Sequence, residues 1–405
     1  MTTGVGGSST EEELGRLVHM TTNISPIGLT EYTARMKQAQ KLMRDKSIAA
    51  IYINAGTNLA YFTGTVWHPS ERMVGAVIPA DGEIEYISPV FEVGTLEQYM
   101  GIKGKVHGWE EHETPYGLFR EMLNTRGLTA GKIALDESCP FFISNGIALA
   151  APEFDYVNAD RITVPCRQIK SAHEIAIMQR AKDMTLEVHK AAARILRPGI
   201  TAPEVEEFIH AAHMKVGAPA GSYFVIVLFG KDTAYPHGVK NPKALEENDM
   251  VLIDTGCQLH GYISDITRTY VFGEPTARQR HIWNIEKATQ AAAFDQAQVG
   301  SRCGDVDLAA RACLETYQLG PDYKLPGLPH RTGHGIGMDI HEWPYLNSGD
   351  DTTLAPGMCF SNEPMICIPG EFGVRLEDHF YMTENGPKWF TEPSHSIDDP
   401  FGYEK

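Results

Sequence analysis

The sequence predicts two domains of mixed structure: an α/β unit over residues 28–163 and an internally duplicated α+β unit over residues 164–405, with residues 1–27 as tail and leader. Three observations carry this. At 405 residues the chain exceeds one ordinary core and suits two. Apolar strand-like runs alternate with helical patterns through the first unit. In the second, a helix pair followed by a strand pair bearing two acidic residues occurs twice.

Taken in order, MTTGVGGSST is small and polar, without a basic start or apolar h-region, and reads as a disordered tail and not a signal peptide. Leu29 to Lys46 has a helical pattern and leads into the apolar strand Ile48 to Ile53. Met73 to Pro79 and Glu83 to Ser88 form a hairpin around Asp81-Gly82, and Lys132 to Leu135 is a further short strand. A new unit starts near Val164. Ser171 to Glu174 is a capping box, and Ile175, Met178, Ala181, Val188, Ala192 and Ile195 recur at helical spacing until Pro198-Gly199. Thr201 to Glu204 caps a second helix, with Pro203 acceptable in its first turn. The pattern then repeats. Thr276 to Gln279 opens a helix to Gln298, Gly300 stops it, and Gly304 to Leu308 opens another. Aligning Gly199 with Gly300 sets Glu204 over Asp305, Val205 over Val306 and Glu206 over Asp307. Two similar halves related by a pseudo-twofold axis follow, and sites commonly lie at such seams.

Composition narrows the function. The 52 acidic and 35 basic residues give a net charge of −17, which disfavours nucleic acid and anionic membranes as partners. Seven scattered cysteines without a CxxC pair argue for a reducing, cytoplasmic setting, with neither a disulfide framework nor a structural zinc knuckle. No apolar run reaches the roughly 18 residues of a membrane span.

The chemistry concentrates in two acidic hairpins. Met250 to Asp254 is an apolar strand, and a β-branched strand returns past Asp265. A two-residue Leu259-His260 loop would make Asp254 and Asp265 direct cross-strand partners on one face. Bare carboxylates so placed repel, so one is protonated or a cation lies between them. Solvated turn carboxylates are the alternative, weakened because Asp254 closes so apolar a strand. In the second half, Glu363 and Glu377 are symmetric about Gly370, so a three-residue loop at the tip would pair them likewise. Four carboxylates at one seam favour hard or borderline divalent metals: Mn, Fe, Co or Zn. His330, His334 and His341 follow one another closely, His334 is flanked by glycines, and His237 stands in Ala234-Tyr-Pro-His-Gly238.

These segments, in this order and spacing, resemble the pita-bread metallopeptidases, which include methionine aminopeptidase, aminopeptidase P and prolidase. Asn58 to Gly64 is similar to the creatinase-like N-terminal domain of the latter two, a domain that methionine aminopeptidases lack. The resemblance implies two divalent metal ions, manganese ahead of cobalt, zinc or iron, held by Asp254, Asp265, His334, Glu363 and Glu377. Asp265 and Glu377 would bridge them, Asp254 would chelate one, and His334 with Glu363 would complete the other. It implies Xaa-Pro bond cleavage by a metal-bridging hydroxide, with Glu363 as general base and His237 and His341 steadying the oxyanion. His330 would lie by the proline-side pocket. Arg375, counted with His330 among the substrate contacts, would orient a carboxylate; a plain strand-surface arginine is its alternative.

The glutamate motif departs from the usual Glu-Pro-Gly and tyrosine: Met365 takes the glycine place and Cys367 the tyrosine place. Tyr262 or Tyr381 could supply the missing donor, and Cys367 could be a buried apolar residue. A dimethylsulfoniopropionate lyase on the same scaffold is an alternative, although its branch carries an aspartate where this chain has Gly256. Creatinase and non-catalytic relatives lose ligands that are all present here. The substrate is expected to be an Xaa-Pro dipeptide, with longer peptides (aminopeptidase P) as the alternative. Arg72, Arg331 and Arg375 are candidates for a substrate carboxylate. Homodimers are common in this family, and Trp67, His68 and Arg72 could close a partner's site, though Trp67 also suits a core.

Overall fold

The computed structural model describes residues 2–404 and separates into two compact units, Ile27–Arg167 and Met1–Pro26 with Gln168–Lys405. The leader therefore groups with the second unit, and it is not a disordered tail. It contains α1 (Thr10–Arg16), started by a Ser9/Glu12 capping box. Glu13 is fully buried and pairs with Arg194 Nη2 at 2.7 Å. Thr3 N donates to Asp398 O at 2.7 Å and Gly6 N to Ala193 O at 2.9 Å. These partners are distant in sequence, so local composition could not reveal them.

The unit Ile27–Arg167 contains α2 (Leu29–Asp45), β1 (Ile48–Asn54), α3 (Thr57–Thr63), β2 (Gly75–Pro79), β3 (Glu85–Pro89), α4 (Val93–Tyr99), β4 (Lys105–Trp109), α5 (Pro115–Thr125), β5 (Gly131–Leu135), α6 (Phe141–Ala150), β6 (Phe154–Asn158) and α7 (Asp160–Arg167). Its six-stranded sheet has the order β4-β3-β2-β1-β5-β6. β1 pairs antiparallel to β2 and parallel to β5, as an apolar central strand covered on both faces should. The β2–β3 hairpin forms around Asp81-Gly82, with Gly82 at φ +111°, but through a longer loop than a two-residue turn, since its ladder ends at Val77–Glu85. The boundary lies a few residues beyond Val164 because α7 belongs to this unit. Tyr61 Oη donates to Cys166 O at 2.7 Å, and Arg167 Nη1 to Asn58 Oδ1 at 2.9 Å.

The second unit continues with α8 (Ala172–Arg194), α9 (Ala202–Val216), β7 (Ser222–Phe229), β8 (Met250–Leu259), β9 (Tyr262–Ile263), β10 (Ile266–Val271), α10 (Ala277–Gln296), α11 (Cys303–Thr316), β11 (Gly333–Gly335), β12 (Glu342–Leu346), β13 (Cys359–Asn362), β14 (Met365–Ile368), β15 (Phe372–Arg375), β16 (Asp378–Thr383) and β17 (Gly386–Trp389). Two helices and then antiparallel strands occur twice. Capping boxes open three of the four helices, at Ser171/Glu174, Thr201/Glu204 and Thr276/Gln279; at the fourth, Arg302 N donates to Asp305 Oδ2 at 3.1 Å. α10 stops two residues short of Gln298, and Gly300 takes φ +91° just beyond. β10-β8-β7 forms the first sheet and β12-β11-β13-β16-β17 the second, with β14–β15 a separate hairpin. Trp283, fully buried in the core, donates Nε1 to Thr269 O at 2.8 Å and so ties α10 to β10. Among the described residues no helix is long and apolar enough to cross a membrane.

Candidate metal centre

The first hairpin differs from expectation by one residue. Its two-residue loop is His260-Gly261 at φ +50° and +90°, with Leu259 paired to Tyr262. A turn needing two positive φ values selects the pair that contains glycine. Along β10 the register sets Asp254 opposite Thr267, and continuing it sets Asp265 opposite Gly256. The two aspartates are therefore diagonal neighbours and not direct partners. They still share one face, because the slip moved the pairing by an even step. Gly256 is required here: a Cβ would lie 1.7 Å from Ser264 O.

The second hairpin has the expected register. Ile368 pairs with Phe372 across a Pro369-Gly370-Glu371 loop, and Met365 with Arg375. β13 and β16 resume the same register at Asn362–Asp378, which places Glu363 opposite Glu377 between the two ladders. His334 comes from β11, where Gly333 and Gly335 lie against neighbouring backbone; a Cβ on either would meet Ser361 O or Glu342 O within 2.5 Å. His334 N bonds Ser361 Oγ at 2.9 Å, and Nδ1 bonds Gly335 O at 3.0 Å. The carbonyl can only accept, so Nδ1 carries a proton and Nε2 faces the acidic cluster.

Ligand atoms of Asp265, His334 and Glu377 all lie within 4.8 Å of one another. His334 Nε2 is 3.6 Å from Asp265 Oδ2 and 3.0 Å from Glu363 Oε1. Asp254 flanks the group, its Oδ2 accepting from Arg375 Nη2 at 2.5 Å. Burial pushes Asp265 and Glu377 well above the carboxylate range, and the neighbouring carboxylates push further in the same direction. Asp254 is also raised by burial, against the pull of Arg375. Burial works the same way on Glu363, but the charges of His334, His330 and Arg375 outweigh it and hold Glu363 below the usual range.

The donor set fits divalent cations. Asp254 Oδ1, Asp265 Oδ1, His334 Nε2 and Glu377 Oε1 are buried polar atoms without a hydrogen-bond partner, one on each of four candidate ligands. Such a concentration of unsatisfied ligand atoms is what a cation-binding cluster presents. Oxygen ligands joined by one imidazole match the borderline metals.

The remaining candidates take different places. The His341 ring meets His334 edge-on, 4.2 Å between centroids, and is pushed down to about 4 by partial burial and by the charges of His334 and Arg331. His330 Nε2 is buried without a partner, and burial lowers its pKa. His237 is exposed, close enough for its charge to act on both. Arg375 needs correction. It is buried, and its guanidinium is taken by Asp254, Thr267 Oγ1 at 3.0 Å and Pro236 O at 3.2 Å. Its guanidinium is thus hydrogen-bonded to protein groups, the Asp254 carboxylate among them. Cys367 packs in an apolar cluster with Met365 and Ile366, and burial pushes its thiol up to about 12. Tyr262 does not replace the absent tyrosine, since its hydroxyl goes to Glu174 Oε1 at 2.7 Å. Tyr381 lies against Phe390.

Sequence reasoning missed the supports. Thr267 Oγ1 donates to Glu377 Oε2 at 2.8 Å, and Ser361 Oγ to Glu363 Oε1 at 3.1 Å. Strand alternation could have found Ser361, two positions from Glu363; Thr267 needed the true register.

Fold and site together define a hydrolase of the pita-bread class: the chain belongs to metallopeptidase family M24, which matches residues 176–384. Residues 35–169 match the creatinase/prolidase N-terminal domain. The chain is 32% identical to a putative dipeptidase, YkvY, of Bacillus subtilis, over 88% of this chain and 97% of that one. It is 30% identical to an Xaa-Pro dipeptidase of Pyrococcus furiosus, over 90% and 99%. The crystal structure of dipeptidase PepE from Mycobacterium ulcerans superposes with a TM-score of 0.84 at 30% identity, covering 92% of this chain and 98% of that one.

Proposed function

We propose that the protein is an Xaa-Pro dipeptidase that works with two divalent metal ions, manganese first among them, as a cytoplasmic homodimer. The observation that carries this is the convergence of four buried ligands, each with an unsatisfied ligand atom, and the half-buried Glu363 at 3.0 Å from His334 Nε2. Asp254, Asp265 and Glu377 would hold one ion, and Asp265, Glu377, His334 and Glu363 the other. When bound, such ions polarise the scissile carbonyl and acidify a water molecule. Glu363, held ionised by His334 first and by Arg375, accepts the proton of the attacking water. His341, neutral above about pH 4, donates to the developing oxyanion from the rim, with His237 beside it. His330 contributes a buried, unengaged Nε2 to the proline side.

The dipeptide preference is supported by elimination among three arginines. Arg375 is consumed by Asp254. Arg72 is tied to Glu111 at 3.0 and 3.1 Å. Arg331 has no carboxylate partner among the described residues, lies over the Tyr345 ring at 4.3 Å, and adjoins His330. It is the guanidinium left to meet a substrate carboxylate. Gly256 weighs against the lyase alternative, since any side chain there would collide with Ser264 O.

The test is an activity panel with Mn, Co, Zn or Fe added: Xaa-Pro dipeptides, longer Xaa-Pro peptides and dimethylsulfoniopropionate. Dipeptide cleavage is expected. Cleavage of longer peptides alone would move the assignment to aminopeptidase P, and a protein that binds no metal would end it. Glu363→Gln should keep much of the metal and lose turnover by about 100-fold or more; an active variant removes Glu363 as base.

A further inference from the structure

The alternation that gathers the ligands also places a histidine with no role so far. His379 lies two positions after Glu377 and therefore points to the same face. Its cross-strand partner is Ser361, which lies two positions before Glu363. The four side chains form a block, Glu363 opposite Glu377 and Ser361 opposite His379. On one side of the block the support is already made, because Ser361 Oγ donates to Glu363 Oε1 at 3.1 Å. On the other, His379 Nε2 stands 3.5 Å from Glu377 Oε1, just beyond the roughly 2.7–3.2 Å of a formed N–H···O bond.

Three atoms here lack partners. His379 is fully buried with neither ring nitrogen hydrogen-bonded, and Glu377 Oε1 has no donor either. Buried polar groups in native proteins are nearly always satisfied, so two such groups side by side point to each other. The chemistry is complementary: an imidazole N–H donates and a carboxylate oxygen accepts. The other oxygen of Glu377 already has its donor in Thr267, at 2.8 Å.

We propose that His379 is a positioning residue for the metal centre, its Nε2–H holding Oε1 of Glu377 as Thr267 holds Oε2. The proposal rests on the metal reading of the site given above. Groups that orient a ligand carboxylate typically contribute 10–100-fold, by order of magnitude, to metal affinity.

The experiment titrates Mn into metal-free wild type, His379→Gln and His379→Phe, with folding checked by circular dichroism. His379→Phe should bind Mn about 10–100-fold more weakly. His379→Gln, which retains an N–H donor, should recover most of that loss. KM for an Xaa-Pro dipeptide should stay unchanged, and excess Mn should restore kcat. A folded His379→Phe with wild-type Mn affinity overturns the proposal. If that variant does not fold, nitrogen NMR of metal-free wild type labelled at histidine decides: an Nε2-protonated ring supports the proposal and an Nδ1-protonated ring overturns it. Wild type that binds no Mn at all would instead overturn the metal reading itself.

Discussion

Arg375 is the residue on which the cluster's charge balance turns. Its guanidinium meets Asp254 at 2.5 Å in a site where both side chains are buried. It also reaches Thr267, which in turn donates to Glu377. One arginine thus steadies two candidate ligands, one directly and one through a hydroxyl. Breaking such a buried pair from one side costs about 3–5 kcal/mol, because the remaining charge is left without compensation. Arg375→Met should therefore lower stability by roughly that amount and reduce kcat/KM about 100-fold by loosening Asp254. Urea unfolding and steady-state kinetics measure the two effects. Arg375→Lys, a point charge without the planar fork, should recover part of the stability and less of the activity. Loss confined to KM would show instead that Arg375 touches substrate.

At the scale of elements, α1 is held by its tertiary partners more than by its own sequence. A helix of seven residues is too short to persist alone. Its anchor is Glu13, fully buried and bonded to Arg194 and Arg16. Removing the carboxylate leaves Arg194, which is only partly exposed, without that partner. Glu13→Ala is expected to cost about 1–3 kcal/mol and to lower the unfolding midpoint while kcat and KM stay at wild-type values. A change in KM would show that the leader reaches the site. The contrast with the acidic hairpins shows what was legible in the sequence. The Glu363–Glu377 register could be read because Gly370 marks the centre of a symmetric loop. The Asp254–Asp265 register was read one residue off, because the turn is set by positive φ at His260-Gly261 and not by the centre between the two carboxylates. The shared face survived that error, since it depends only on alternation. His379 and Thr267 stayed hidden because their value lies in cross-strand distances, and α1 because its partner Arg194 lies 181 residues further along the chain.

Over the whole catalytic unit, the site is a seam at which each half braces the other. From the first half, Arg268 donates to Glu377 O at 2.8 Å and to Asp378 Oδ1 at 2.7 Å. From the second, Arg375 returns the contact to Asp254, and Thr269 Oγ1 bonds Arg375 O at 2.7 Å. Metal ions at this seam would join the halves, so their removal should be felt in global stability, with a particular pH dependence. Without metal, Asp254, Asp265 and Glu377 have folded pKa values raised above the unfolded ones, by burial first and then by neighbouring carboxylates, against the pull of Arg375. Above the ordinary carboxylate range the unfolded chain has released these protons and the folded chain has not. The folded state then binds more protons, and stability falls as pH rises through the folded pKa values. Glu363 acts in the opposite sense, but only below the ordinary range, because its folded value is lowered. Glu286, and Asp378 next to Glu377, are also buried and raised and add a slope of the first sign. The metal-free protein should therefore lose unfolding free energy as pH rises above the ordinary carboxylate range. Saturating Mn should raise stability more at higher pH, by about 2.7 kcal/mol at 100 times its Kd, since ions bind the deprotonated ligands. Thermal unfolding as a function of pH, with and without Mn, checks the difference. A metal-free protein that grows more stable toward high pH, or a Mn effect independent of pH, would show that the four carboxylates do not share one buried charge problem.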